Sequence, residues 1–371
     1  MTSKKVALIN GMIFTGETFV KDKALLLVDE KIFGIIPRLD VPQEYETRDV
    51  EGAYISPGLI DLQIYGTVDD LFSADLREEV ILRIESNLLK QGCTSFMLTL
   101  ATNTLEVFKE AIDVFSQAEP KVSLGLHLEG PFLNPVKRGA HPEELIIEGT
   151  LERIKGLLDS SKGAVKMMTV APELMSEQSI AYLLDQGIVL SAGHSAATFE
   201  QAMLGFKQGI SSSTHLWNAM SSFHHRDTGL PGAVSCHPTV KASIIVDGIH
   251  VDYNAVRLSK RLLGDRLFLI TDAVAKCDKG IYQHVFKDDH YVLPDGTLSG
   301  SALTLLQAVA NCVKYVDIPL EEALRMATTY PAKLISRADI GNFNLGSQAN
   351  IVVFDSDFRI TSVYFQGNQV V

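Results

Sequence analysis

Eight near-continuous apolar segments recur along the middle of the chain: ISPGLIDLQIYG, SFMLTLAT, VSLGLHLEG, VKMMTVAPE, GIVLSAGHS, ISSSTHLWN, VKASIIVDGIH and RLFLITDAV. Short apolar runs bounded by turn residues fit strands buried on both faces. Helical periodicity alternates with them, around 76–91, 104–117, 151–160, 176–186, 198–208, 253–263 and 301–315, with a further helix at 319–329. This alternation predicts a parallel sheet covered by helices, and eight repeats is the number that closes a (β/α)8, TIM-like barrel. An open doubly wound sheet would need a GxGxxG turn after its first strand, and the sequence has none there.

The two ends of the chain have a different texture. VALING, MIFTGETFV, KALLLVDE and KIFGIIP are short segments with period-two alternation, separated by Gly, Asp and Lys turn signals. NIVVFDSDF, ITSVYFQ and GNQVV repeat that texture at the other end. Because chain termini often lie close together, the two ends are expected to build one small β-sandwich module from 1–55 plus 345–371, with the barrel occupying 56–344.

The 371 residues are 46% hydrophobic and 21% charged, as in a globular enzyme-sized protein, and the length suffices for a large core. A formal net charge of −12 argues against nucleic acid or an anionic membrane as the main partner, so any phosphate site must be local. Cys93, Cys236, Cys277 and Cys312 are widely spaced, which suggests reduced thiols in a cytoplasm. No apolar run approaches the roughly 20 residues of a membrane helix, and MTSKKVALINGMIF lacks a signal-peptide pattern. A cytoplasmic protein is expected.

The candidate chemistry lies where apolar runs end. Glu129 closes LGLHLEG, His194 closes IVLSAGHS, His215 follows ISSST and Asp272 closes LFLITDAVA. A buried strand terminus gains nothing from an inward carboxylate or imidazole, and active sites of such barrels lie at the C-terminal strand ends. Glu129, His194 and His215 supply the three protein ligands typical of a catalytic divalent cation. Zinc is expected first, although iron and other divalent ions suit one carboxylate and two imidazoles as well. Asp272 is then the candidate general base, its alternative being a helix N-cap.

The segments SPGLIDLQIYG, LGLHLEGPFLNPVKRGAH, SAGHS, STHLWNAM, VDGIHVD, LITDAVA and LSGSALTL resemble the successive motifs of N-acetylglucosamine-6-phosphate deacetylases, within the amidohydrolase superfamily. The likeness runs over nearly the whole chain. It implies that Glu129, His194 and His215 bind the metal, that Asp272 is the acid/base aspartate, and that Ala140 and His141 contact the sugar. It places Asn218 and Ala219 at the phosphate, with Arg226 and His250 as further basic contacts and Leu303, Thr304 and Leu305 along the pocket. It also implies a homodimer in which a neighbouring subunit completes the phosphate pocket. Read without the resemblance, Arg226 in HHRDTG is a solvated loop charge.

The first strand departs from the common pattern. Many amidohydrolases carry HxH there for a second metal, whereas this chain has Gln63 and Tyr65, poor ligands for a divalent ion, so a single metal per subunit is expected. Deacetylases of the family that begin with Gln usually pair it with Asn, and Tyr65 stands in that place. The expected activity is removal of acetate from N-acetylglucosamine 6-phosphate. Its rivals are the same chemistry on an epimer such as N-acetylgalactosamine 6-phosphate, and a non-catalytic barrel scaffold. The polar segment 276–294 reads either as a lid or as a solvated hairpin.

Overall fold

A computed structural model of the chain describes residues 3–159 and 161–371. Eight strands form one sheet in sequence order: β1 (Leu59–Ile64), β2 (Cys93–Ala101), β3 (Ser123–Glu129), β4 (Val165–Val170), β5 (Val189–Ala192), β6 (Ser212–Ser213), β7 (Lys241–Ile244) and β8 (Leu267–Leu269). The pairings from β2 to β8 are parallel. Just beyond β8 the ring draws together, with a parallel bridge between Ile64 and Ala273. There Asp272 N–H donates to Gln63 O at 3.0 Å and Tyr65 N–H to Ala273 O at 2.9 Å. Both faces of β1 and β2 are buried along their whole length, which is why these strands read as unbroken apolar runs rather than alternating ones.

The chain divides into two compact units, 62–85 with 96–303, and 1–61 with 86–95 and 304–371. In the second unit, Tyr54–Pro57 lies between Met12–Phe14 and the antiparallel Ile351–Phe354, so strands from both termini share a six-stranded sheet. Lys5–Ile9, Lys23–Val28, Lys31–Pro37 and Glu46–Asp49 form a four-stranded sheet. Val6, Leu8, Leu25 and Leu27 from the smaller sheet pack with Ile13, Ile55, Ile351 and Val353 from the larger. The period-two alternation in the sequence is this shared sandwich core.

Most predicted helices appear within a few residues of their expected bounds, such as Glu78–Lys90, Leu105–Ala118 and Tyr253–Leu263. The helix expected over 151–160 spans Leu151–Leu158, and position 160 lies outside the described residues, as do positions 1 and 2 of the expected β module. Three differences have local causes. The helix Gly229–Cys236 escaped the sequence reading because GLPGAVSC has two glycines, a proline and no polar face; six of its eight residues are buried. The helix expected over 319–329 is Leu320–Ala327 followed by Thr329–Leu334, broken at Thr328, whose backbone (φ −135, ψ −80) is not helical. The strand Glu46–Asp49, sequence ETRD, has no apolar position that could announce it.

Segment 276–294 contains a hairpin. Val285–Lys287 pairs antiparallel with His290–Val292, which pairs in turn with Leu298–Ser301. The helix expected from 301 therefore starts only at Leu305. Among the described residues, no helix is long and apolar enough to cross a membrane. All four cysteines are free thiols, with Cys93 and Cys312 buried.

Candidate metal centre and active site

The four residues singled out at strand ends meet. Glu129 is the last residue of β3, and Gly130 follows in the left-handed region (φ 92). His194, His215 and Asp272 follow β5, β6 and β8, and all three hold left-handed backbone, with φ of 47, 35 and 54. Each such non-glycine residue costs about 1–3 kcal/mol and persists only where neighbours fix it. Those neighbours are present. Asn134 N–H donates to His194 O at 2.9 Å, Ser243 Oγ accepts from His215 N–H at 2.8 Å, and Asp272 is held through both N–H and C=O, to Gln63 and Ser301. The bend turns each side chain off the end of its strand and into the mouth of the barrel.

Glu129 Oε1 lies 3.0 Å from His215 Nε2 and 3.3 Å from His194 Nε2, and the two imidazole nitrogens are 3.1 Å apart. The second ring nitrogen of His194 tells what this convergence means. Its Nδ1 lies 3.0 Å from the Lys137 carbonyl and donates to it, so Nε2 presents a lone pair whenever the ring is neutral. That lone pair faces a carboxylate oxygen and another imidazole nitrogen, an arrangement that only a proton or a cation between them can satisfy. One carboxylate oxygen and two imidazole nitrogens aimed at one point fit a divalent cation.

His141 also reaches this centre, and its ligand atom lies with those of Glu129 and His194 within 4.8 Å of one another. Its chemistry is different. Thr102 N–H donates to His141 Nδ1 at 3.2 Å, which puts the imidazole proton on Nε2, 3.2 Å from Glu129 Oε2. His141 is thus a hydrogen-bond donor toward the carboxylate, while His194 offers a lone pair. Burial first, then repulsion from His194, pushes the His141 imidazole down to about 4, so it is neutral at ordinary pH.

Gln63 ties the rest together. Its amide Nε2 lies 3.0 Å from Glu129 Oε1, 2.7 Å from Asp272 Oδ1 and 3.0 Å from the Tyr65 hydroxyl. The Tyr65 hydroxyl donates to Glu129 Oε2. Burial, then the charges of Glu129 and Asp272, push Tyr65 well above the usual phenol range, so it stays a donor. Burial works to raise the Glu129 carboxyl as well, but His194, His141 and His215 outweigh it and hold the group well below its ordinary value. Asp272 goes the other way: burial raises it, and the nearby Glu129 charge adds to the rise against the pull of His215. Two carboxylates in one cavity are therefore pushed apart in acidity.

Of the positions expected to contact substrate, Ala140, His141, Asn218, Ala219 and His250 line the same cavity as Tyr65, Glu129, His194, His215 and Asp272. His250 Nδ1 is 2.6 Å from Asp247 Oδ2, which leaves its Nε2 for the cavity. Arg226 stands apart, exposed, with Nη1 2.9 Å from His225 Nε2. Leu303 is buried, Thr304 caps the helix Leu305–Val316, and these two and Leu305 are not among the cavity's walls.

The sequence reading missed Tyr282 and His284, which line the cavity from the segment leading into the hairpin. Tyr282 hydroxyl donates to Thr102 O at 2.7 Å, and His284 Nδ1 lies 2.9 Å from Ser299 Oγ. The available signal was the alternation of Ile281, Tyr282, Gln283 and His284, in which Tyr282 and His284 are buried and the other two exposed. His127 is a buried histidine without a place in the cavity. Its two nitrogens are taken by Leu62 O at 3.0 Å and Thr169 Oγ1 at 2.8 Å, and it packs the barrel interior.

Known proteins share this architecture. The model of the amidohydrolase family matches residues 54–370, and that of the NagA composite domain matches residues 6–55. The N-acetylglucosamine-6-phosphate deacetylase of Haemophilus influenzae is 34% identical over 380 residues, covering 98% of each chain. The crystal structure of N-acetylglucosamine-6-phosphate deacetylase from Pasteurella multocida superposes with a TM-score of 0.94 at 35% identity, covering 98% of this chain and 99% of that one. A mutant of the Mycobacterium smegmatis enzyme in complex with N-acetyl-D-glucosamine-6-phosphate gives a TM-score of 0.92 at 26% identity over 100% of both chains. With the whole length matched in both sequence and structure, the chain belongs to the amidohydrolase family, among its N-acetylglucosamine-6-phosphate deacetylases.

Proposed function

We propose that the chain is a metal-dependent deacetylase that converts N-acetylglucosamine 6-phosphate to glucosamine 6-phosphate and acetate. The observation that carries this reading is the convergence of Glu129, His194 and His215 on one point, with Asp272 linked to Glu129 through the Gln63 amide. Glu129, His194 and His215 would hold a single divalent ion, zinc in the first instance. When bound, such an ion supplies Lewis acidity to the amide carbonyl and makes water a stronger acid.

The chain's own residues do the rest. Asp272 accepts a proton from the attacking water as the new C–O bond forms, then delivers it to the amide nitrogen as the C–N bond breaks. A carboxyl raised by burial suits a group that must carry a proton between those two steps. His141 and His250 face the cavity as candidate partners of the developing oxyanion. Asn218 and Ala219 would meet the phosphate.

Arg226, on an exposed loop with Phe223, fits the reading that a second subunit completes the phosphate pocket, in a cytoplasmic homodimer. Sedimentation of the purified protein at twice the chain mass is the expected result, and a monomer that is fully active sinks that part. For the reaction, acetate release is measured on the gluco and galacto epimers of the N-acetylhexosamine 6-phosphate, with and without complete metal removal. Turnover is expected on the gluco epimer and is lost on chelation; a rate unchanged without metal defeats the mechanism. A higher kcat/KM on the galacto epimer reassigns the substrate.

A further inference from the structure

The two oxygens of Glu129 have different surroundings, and Tyr65 makes the difference. Oε1 faces His215 Nε2 at 3.0 Å and His194 Nε2 at 3.3 Å, the point where a cation fits. While Oε1 accepts from Gln63 Nε2 at 3.0 Å, Oε2 accepts hydrogen bonds from the Tyr65 hydroxyl and from His141 Nε2 at 3.2 Å. Tyr65 has little freedom to release it. Its N–H is bonded to Ala273 O at 2.9 Å, its hydroxyl accepts from Gln63 Nε2 at 3.0 Å, and its ring is buried with Leu71, Ala101, Val274 and Tyr282.

A carboxylate with one oxygen so held keeps its orientation, with Oε1 toward the two imidazoles. We propose that Tyr65 is a positioning residue: its hydroxyl holds the Glu129 carboxylate with Oε1 toward His194 and His215 and so sets the affinity that the centre would have for its metal. The inference rests on the ligand set proposed above. Groups that orient a metal ligand in this way are typically worth 10- to 100-fold in metal affinity.

The test compares cobalt(II) binding to metal-free wild-type and Tyr65→Phe protein, by competition with a chelator of known affinity, with circular dichroism as the check on folding. A dissociation constant about 10- to 100-fold weaker in Tyr65→Phe is expected. Replacement of Tyr65 by 4-aminophenylalanine, which keeps a donor on a ring of the same shape, is expected to restore wild-type binding. It also carries the test should Tyr65→Phe not fold. A Tyr65→Phe constant equal to that of wild type overturns the inference, because the ring alone would then suffice. So does a 4-aminophenylalanine protein that binds as weakly as a lost donor would. Wild-type protein that takes up no cobalt overturns the ligand set itself, and this inference with it.

Discussion

Asp272 lies 2.7 Å from the Gln63 amide nitrogen, on left-handed backbone anchored at both its N–H and its C=O. Asp272→Asn keeps the acceptor toward Gln63 but cannot take up a proton. It is expected to retain metal and lose about 10²- to 10⁴-fold in kcat, the usual worth of a general acid/base. A near-normal rate in that variant would remove Asp272 from its role. A second residue-scale prediction concerns acid. Asp339 accepts from Arg337 Nε at 2.7 Å and Nη2 at 2.8 Å, and this pairing pushes its carboxyl down to about 2. A depressed folded pKa gives stability that is present above the unfolded carboxyl value and is lost as pH falls toward 2. With both side chains more than a third exposed, solvent screening keeps the effect at about 0–1 kcal/mol. Thermal unfolding of Asp339→Asn should begin slightly earlier than wild type at pH 6, and the two should converge as the pH falls through about 2. At this scale the sequence was most legible where chemistry contradicted context, a charge or imidazole ending an apolar run. It was least legible at Tyr282, His284 and Thr102, whose roles depend on neighbours far along the chain.

Glu85 links a helix to the strand that carries Glu129. From Glu78–Lys90 its buried carboxylate accepts from three successive backbone N–H groups, Lys121 at 3.2 Å, Val122 at 2.7 Å and Ser123 at 2.8 Å. Those donors lie at the entry to β3, and removal of Glu85 would leave the buried Val122 N–H without this partner, while Lys121 and Ser123 lie nearer to solvent. At about 1–3 kcal/mol for a buried group left unsatisfied, Glu85→Ala is expected to lower the unfolding free energy by about 1–3 kcal/mol. Denaturant unfolding measures this, and a loss below about 1 kcal/mol would show that water takes over the three donors. The apolar periodicity that revealed β3 could not reveal the clamp, because a lone glutamate on a helix reads as a solvated face. The same blindness hid the helix Gly229–Cys236, where burial on all sides erased the period that usually marks a helix.

Across the whole molecule, the strands and most helices were readable because a barrel repeats one local unit, and repetition makes weak signals add. The walls of the cavity were not, since which loop covers which strand end is a matter of three-dimensional packing rather than of period. A protein of net charge −12 that gathers two carboxylates in one buried cavity gains from a cation there. Any ligand that binds only the folded state stabilises it by RT ln(1 + [L]/Kd), about 2.7 kcal/mol at a hundredfold excess over Kd. Addition of zinc or cobalt to metal-free protein is therefore expected to raise the melting temperature by several degrees, and the Glu129→Gln protein should show a much smaller rise. Equal shifts in both would place the cation elsewhere.

Gly130, directly after Glu129, connects these scales. At its φ of 92 a methyl group would come within 2.2 Å of Thr102 Oγ1. Thr102 is also the residue whose N–H settles where the His141 proton resides and whose carbonyl receives the Tyr282 hydroxyl. A single added carbon at a position with no reactive atom would thus push on a wall of the cavity and on the protonation of an imidazole together. Inherited variation at this glycine should be read as an active-site lesion, even though nothing in its own side chain could ever touch a substrate.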